Sequence, residues 1–178
     1  MEEIIIKDKR FVKYISYQEI DTAIEVLAEK INKDYKGRIP IFLVVLNGAI
    51  MFASDLMKKL NIDCELSAIK VSSYVGTSST QNVKQLIGIK DSVEGRDIII
   101  VEDIVDTGIT IDAIIKELEA RNVASIRIAT MTYKKEAYTK KHPIDYVALE
   151  IPNKFIVGYG LDYDELGRNY KDIYQIIE

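Results

Sequence analysis

Apolar positions early in the chain recur at helical spacing. Ile20, Ala23, Ile24, Leu27, Ala28 and Ile31 share one helix face, and Ser16-Tyr17-Gln18-Glu19 ahead of them has the form of a capping box. A helix is expected from near Ser16 to near Gly37. The period then changes. Residues 41–46 are apolar without interruption, Asn47-Gly48 breaks the run, and residues 50–60 resume at helical spacing, as when a strand buried on both faces feeds a helix. A second unit of this kind is clearer still, with a strand over 98–101, a loop over 102–110, a helix over 111–121 and a further strand over 125–132. A strand over 64–71 leads into residues 72–82, a polar stretch with no apolar period that reads as a mobile loop. Strands alternating with helices predict an α/β fold with a central, mostly parallel sheet flanked by helices. In the tail, two short apolar stretches, 146–149 and 155–157, flank Pro152-Asn153-Lys154 and predict irregular strands in a small flap over the sheet edge.

Length and charge narrow the function. A chain of 178 residues can bury one sizeable core, and with 48% hydrophobic and 29% charged residues it has an ordinary globular balance, so a single domain is expected. The net charge of −4 lacks the basic footprint that nucleic-acid binding requires. One cysteine, Cys64, cannot form an internal disulfide, and the first apolar run is too short for a signal peptide or a membrane span, so the expected location is cytoplasmic. The single histidine, His142, precedes Pro143 and reads as a solvated turn residue. A histidine-based triad or a multi-histidine metal site is thereby set aside, leaving acid–base chemistry to carboxylates, lysine or tyrosine.

Such chemistry concentrates in Val101-Glu102-Asp103-Ile104-Val105-Asp106-Thr107-Gly108-Ile109-Thr110. Three carboxylates within five residues stand at the carboxyl end of a buried strand, where open α/β sheets bind ligands. A hard cation such as magnesium and the positive end of the following helix can each offset that charge. Thr107, Gly108 and Thr110 add hydroxyls and a pliant backbone able to wrap a phosphate. Helix capping by Asp106, Thr107 or Thr110 is the plainer alternative, and it explains one acid but not three. No Gly-Lys-Ser/Thr P-loop and no GxGxxG occurs.

The segment 101–110 resembles the phosphoribosyl-pyrophosphate signature of the type I phosphoribosyltransferases. Leu46-Asn47-Gly48-Ala49, Ser73-Tyr74, Lys134 and the run from Ile151 to Tyr163 extend the likeness to the hypoxanthine–guanine branch over nearly the whole chain. The resemblance implies that fold, with a core over about residues 16–140 and a small hood from about 141–178 plus the N-terminal residues. It implies Mg2+ as cofactor, phosphoribosyl pyrophosphate and a purine base as substrates, and a homodimer or homotetramer. The implied reaction passes the 5-phosphoribosyl group to N9 of hypoxanthine or guanine, giving IMP or GMP and pyrophosphate in purine salvage.

Residue by residue, the resemblance gives Glu102 and Asp103 the ribose hydroxyls and, with Asp162, the metal. It makes Asp106 the general base near purine N7, and gives the 5′-phosphate to Asp106, Thr107, Gly108, Ile109 and Thr110. Lys134 is placed at purine O6, Phe155 on the purine face, and Ile156 and Asp162 at the base. Asn47, Gly48 and Arg168 take the pyrophosphate, while Ser73 and Tyr74 open a lid that excludes water from the reacting centre. Asn47 departs from the pattern, since many relatives carry lysine there. Read without the resemblance, Phe155 is an ordinary core aromatic, Lys134 part of a solvated basic pair, and Asp162 and Arg168 surface charges. The competing function is a regulator of the same fold that senses phosphoribosyl pyrophosphate. Such a protein typically needs a basic face or an added segment and often loses the general base.

Overall fold

The computed structural model describes residues 2–73, 83–89 and 92–177. Two strands that the periodicity did not announce come first, β1 (Glu3–Ile6) and β2 (Lys9–Ile15). Ser16 then starts α1 (Tyr17–Asp34) with the capping box in place: the Glu19 N–H donates to the Ser16 hydroxyl at 3.3 Å and the Ser16 N–H donates to the Glu19 carboxylate at 2.8 Å. The chain continues as β3 (Ile41–Leu46), α2 (Ile50–Lys59), β4 (Glu65–Ser73), β5 (Val83–Ile87), β6 (Asp97–Val105), α3 (Ile109–Glu119), β7 (Ser125–Tyr133), β8 (Tyr146–Glu150), β9 (Ile156–Val157) and β10 (Ile173–Ile177). Among the described residues no helix is long and apolar enough to cross a membrane.

Six strands form the main sheet in the order β5-β4-β3-β6-β7-β8, parallel throughout except for the edge pair β4–β5. The uninterrupted apolar runs follow from burial on both faces. Because strand side chains alternate, Phe42 and Val44 enter a core with Ile24, Leu27, Phe52 and Leu56 of α1 and α2. Leu43 and Val45 enter the opposite core with Ile111, Ile115 and Leu118 of α3. A second, antiparallel sheet runs β1-β2-β10-β9 around a small core of Ile6, Phe11, Val157 and Tyr174.

Three sequence expectations change. The segment 146–149 is not a flap: β8 pairs in parallel with β7 as the edge of the main sheet, and its Tyr146 is buried against α1. The stretch 102–110 is mostly not loop, because β6 runs on to Val105 and α3 begins at Ile109, leaving a turn of 106–108. The polar stretch 72–82 begins within β4, and 74–82 lies outside the described residues.

Candidate active site

The sheet opens at one place. From β3 the chain moves outward to β4, and from β6 it moves outward the other way to β7, so β3 and β6 flank the topological switch point of the sheet. Their parallel ladder stops at Val44–Val101, although β3 continues to Leu46 beside Lys70 of β4 and β6 continues to Val105 beside Tyr133 of β7. The strands therefore part at their carboxyl ends. A cavity of about 250 Å³ lies in the parting, lined among others by Leu46, Gly48, Glu102, Asp103 and Thr110. A neighbouring one of about 190 Å³ is lined by residues 104–111 and Glu102. A larger cavity of about 450 Å³, lined by Glu119, Ser125 and Asp145 among others, sits at the opposite ends of the strands. We place the chemistry at the smaller pair, where the carboxylates and the α3 N-terminus converge.

Glu102 is buried, and burial first, then repulsion from Asp103, pushes its carboxyl well above the ordinary range. Burial also raises Asp103, against the Ile104 N–H that donates to it at 2.8 Å and the charge of Arg168, which draw it down. Two adjacent carboxyls, one buried and one half-buried, are thus held at the strand end. Gly48 sits directly against Asp103, for a Cβ there would overlap the Asp103 carboxylate. The Leu46–Asn47 peptide that enters this loop is cis.

Asp106 follows the end of β6, and its carboxylate meets the Lys134 ammonium at 3.0 Å. Lys134 is no solvated member of a basic pair. It is buried just beyond β7, and its N–H donates to the Val105 carbonyl at 2.9 Å. Gly108 caps α3 with a φ of 83°, the left-handed region glycine enters without strain, so the backbone turns sharply into the helix at Ile109 and Thr110. No side chain caps this helix, an arrangement able to receive an anion at its N-terminus.

The second sheet supplies the other wall. Gly160, with φ 97°, lies so close that a Cβ would overlap the Gly48 carbonyl oxygen. Arg168 donates to the Gly160 carbonyl at 2.9 Å and pairs with Asp162 at 2.8 Å and Glu165 at 3.2 Å, so Asp162 and Arg168 are bound to each other. Phe155 is 45% exposed, which rules out the core-aromatic reading, and stands edge-on to Tyr163 at 6.0 Å. Ile156 is buried in β9. Ser73 ends β4, and Tyr74 lies outside the described residues. Among the described residues no three His, Cys, Asp or Glu converge as a metal group, so Glu102, Asp103 and Asp162 do not form one cluster. Sequence reasoning missed the segment 138–142, which packs on the turn after β6. The one residue of it that drew notice, His142, reads in the sequence as a solvated turn residue, whereas its imidazole is partly buried and meets Asp112 at 3.3 Å.

The comparisons agree with this fold. The phosphoribosyl transferase domain family matches residues 16–164. A hypoxanthine-guanine phosphoribosyltransferase of Streptococcus thermophilus is 41% identical over 155 residues, covering 86% of either chain, and one of Streptococcus pyogenes is 45% identical over 144 residues, covering 80% of either. The crystal structure of a hypoxanthine phosphoribosyltransferase from Staphylococcus aureus superposes with a TM-score of 0.88 at 35% identity, covering 93% of this chain and 91% of that one. A hypoxanthine phosphoribosyl transferase from Trypanosoma cruzi also reaches 0.88, at 32% identity, covering 98% and 95%. On the match across residues 16–164 and these relatives, the chain belongs to the type I phosphoribosyltransferase family, in its hypoxanthine–guanine branch.

Proposed function

We propose that this enzyme transfers the 5-phosphoribosyl group from phosphoribosyl pyrophosphate to N9 of hypoxanthine or guanine and releases pyrophosphate. The observation that carries the reading is the Asp106–Lys134 pair, an acceptor and a donor 3.0 Å apart beside the open N-terminus of α3. A 6-oxopurine carrying its proton at N7 offers the complementary pair, an N7–H donor next to the O6 acceptor. Adenine turns an amino group toward the ammonium and leaves a buried donor unpaired, the kind of mismatch that discriminates strongly.

Placed on that pair, the base puts N9 toward the parting between β3 and β6. Glu102 and Asp103 orient the ribose hydroxyls, and the N–H groups from Asp106 to Thr110 hold the 5′-phosphate. Asp106 takes the N7 proton as N9 bonds to C1 of the ribose and the C1–O bond to pyrophosphate breaks. Phe155 covers the purine face, and the backbone of Ile156 meets the ring edge. The amides of Asn47 and Gly48, with Arg168, receive the departing pyrophosphate. The enzyme so described is a cytosolic salvage enzyme acting as a homodimer or homotetramer.

The donor set fits Mg2+. Glu102 and Asp103 offer hard oxygen ligands, the first buried and the second half-buried, and among the described residues no third carboxylate joins them, which suits an ion that is partly ligated by substrate oxygens. Glu102 and Asp103 would hold one ion on the ribose side, and Asp162 a separate ion on the pyrophosphate side. When bound, it neutralises charge on the leaving pyrophosphate.

A base panel tests the reading: purified protein with phosphoribosyl pyrophosphate and Mg2+, offered hypoxanthine, guanine, xanthine, adenine or uracil. Nucleotide should form with hypoxanthine or guanine and be lost on chelation, with adenine poorer by about 100-fold or more in kcat/KM. Equal use of adenine overturns the pairing argument. Silence with every base favours the regulatory alternative, which the relatives do not support.

A further inference from the structure

Both donors of Thr139 reach one acceptor. Its hydroxyl donates to the Thr107 carbonyl at 3.1 Å and its N–H donates to the same oxygen at 3.3 Å. Next to it, Tyr138 closes on Gly108, where an added Cβ would collide with the tyrosine ring and crowd the Lys140 side chain. That ring is fixed from two sides, edge-on to Tyr133 at 5.6 Å and through its hydroxyl, which donates to the His142 carbonyl at 2.7 Å. Further along, Lys140 and His142 meet Asp112 at 3.6 and 3.3 Å, and the Asp112 N–H donates to the Gly108 carbonyl at 2.9 Å. The segment 138–142 thus straps the turn at Thr107, Gly108 and Asp112.

The peptide unit explains what the strap does. Thr107 C=O and Gly108 N–H belong to one planar trans peptide, so they point in opposite directions. Two donors on the carbonyl therefore fix the Gly108 N–H on the side away from Thr139, at the N-terminus of α3. We infer that Thr139 and Tyr138 are positioning residues for the phosphoryl group held there: Thr139 sets the direction of the Thr107–Gly108 peptide, and Tyr138 keeps Gly108 in its left-handed conformation. The inference rests on the reading of 106–110 as the 5′-phosphate site. It adds two residues, outside the signature segment, to the machinery that selects a phosphorylated sugar.

Calorimetric titration with IMP and with inosine, which lacks only the phosphate, separates this role from a structural one. Thr139→Val keeps the shape and the N–H but removes the hydroxyl donor. It should weaken IMP by about fivefold, the worth of one neutral hydrogen bond, and raise KM for phosphoribosyl pyrophosphate in step. Inosine affinity should not change, and Thr139→Ser should restore IMP binding. Tyr138→Phe, which loses the bond to His142, should act in the same direction more weakly, and it decides the matter if Thr139→Val does not fold. Equal weakening of IMP and inosine, or none for IMP, would overturn the inference. Wild-type protein that binds IMP no better than inosine would instead overturn the phosphate-site reading itself.

Discussion

Asp106 and Lys134 hold each other at 3.0 Å, and on the proposed reading a 6-oxopurine exchanges that contact for its own N7 and O6. Asp106→Asn retains an acceptor for Lys134 and the backbone of the turn, but it cannot take up a proton. The expected result is a fall in kcat of about 100-fold or more, with KM for phosphoribosyl pyrophosphate changed by no more than about threefold. Equal changes in both parameters would mean that Asp106 binds rather than accepts a proton. At this scale the sequence was legible where residue types crowd: three acids within five positions cannot all be helix caps. It was opaque where a role depends on burial. Lys134-Lys135 reads as surface charge, and only the fold shows the first of the two buried against Asp106. Asp162 and Arg168 likewise read as separate surface charges, because nothing local indicates that a turn brings them to 2.8 Å.

Among the elements, those with a strong period were readable: α1 with its capping box, and the two strand-to-helix units that build the site. The errors fell at boundaries and edges. The acids of 102–105 look like loop because they are polar, yet they continue β6 on the β7 ladder. Strands β1, β2 and β10 lack a clean alternation because they pack on a small core, and their pairing is decided by contacts distant in sequence. One such contact joins three elements. Asp172, just before β10, is buried and accepts from Lys13 of β2 at 2.9 Å and from the Tyr17 N–H at the start of α1 at 2.7 Å. Burial alone would raise this carboxyl, but the Lys13 and Tyr17 bonds outweigh it and hold it below the usual range. A depressed folded pKa stabilises the protein above the unfolded value and ceases to do so as pH falls through the folded one. Asp172→Asn should therefore cost about 2 kcal/mol in urea unfolding at neutral pH, and the gap to wild type should narrow below about pH 4. A gap of the same size at both pH values would contradict the account.

At the scale of the molecule, the proposed active site is a seam between two sheets, one bearing the acids and the turn of 106–108, the other carrying Phe155, Asp162 and Arg168 in the segments next to its strands β9 and β10. Tyr159 bonds Asp55 of α2 at 2.6 Å across that seam, and Gly160 rests on the Gly48 carbonyl. Gly160 was visible in the sequence, but the Gly48 carbonyl that demands a glycine there was not, since it lies on a loop far away in the chain. Gly160→Ala should push Gly48 off Asp103, raising KM for phosphoribosyl pyrophosphate by about tenfold and lowering Tm, because the new Cβ meets both a positive φ and the opposing backbone. An unchanged KM would show that the seam does not shape the pyrophosphate side. The most direct test of the whole account is where IMP binds in a crystal structure of the complex. The account predicts the phosphate on the N–H groups of residues 107–110, N7 at Asp106, O6 at Lys134 and the ribose hydroxyls at Glu102 and Asp103. A nucleotide lying elsewhere, or with its base and phosphate reversed, would contradict it.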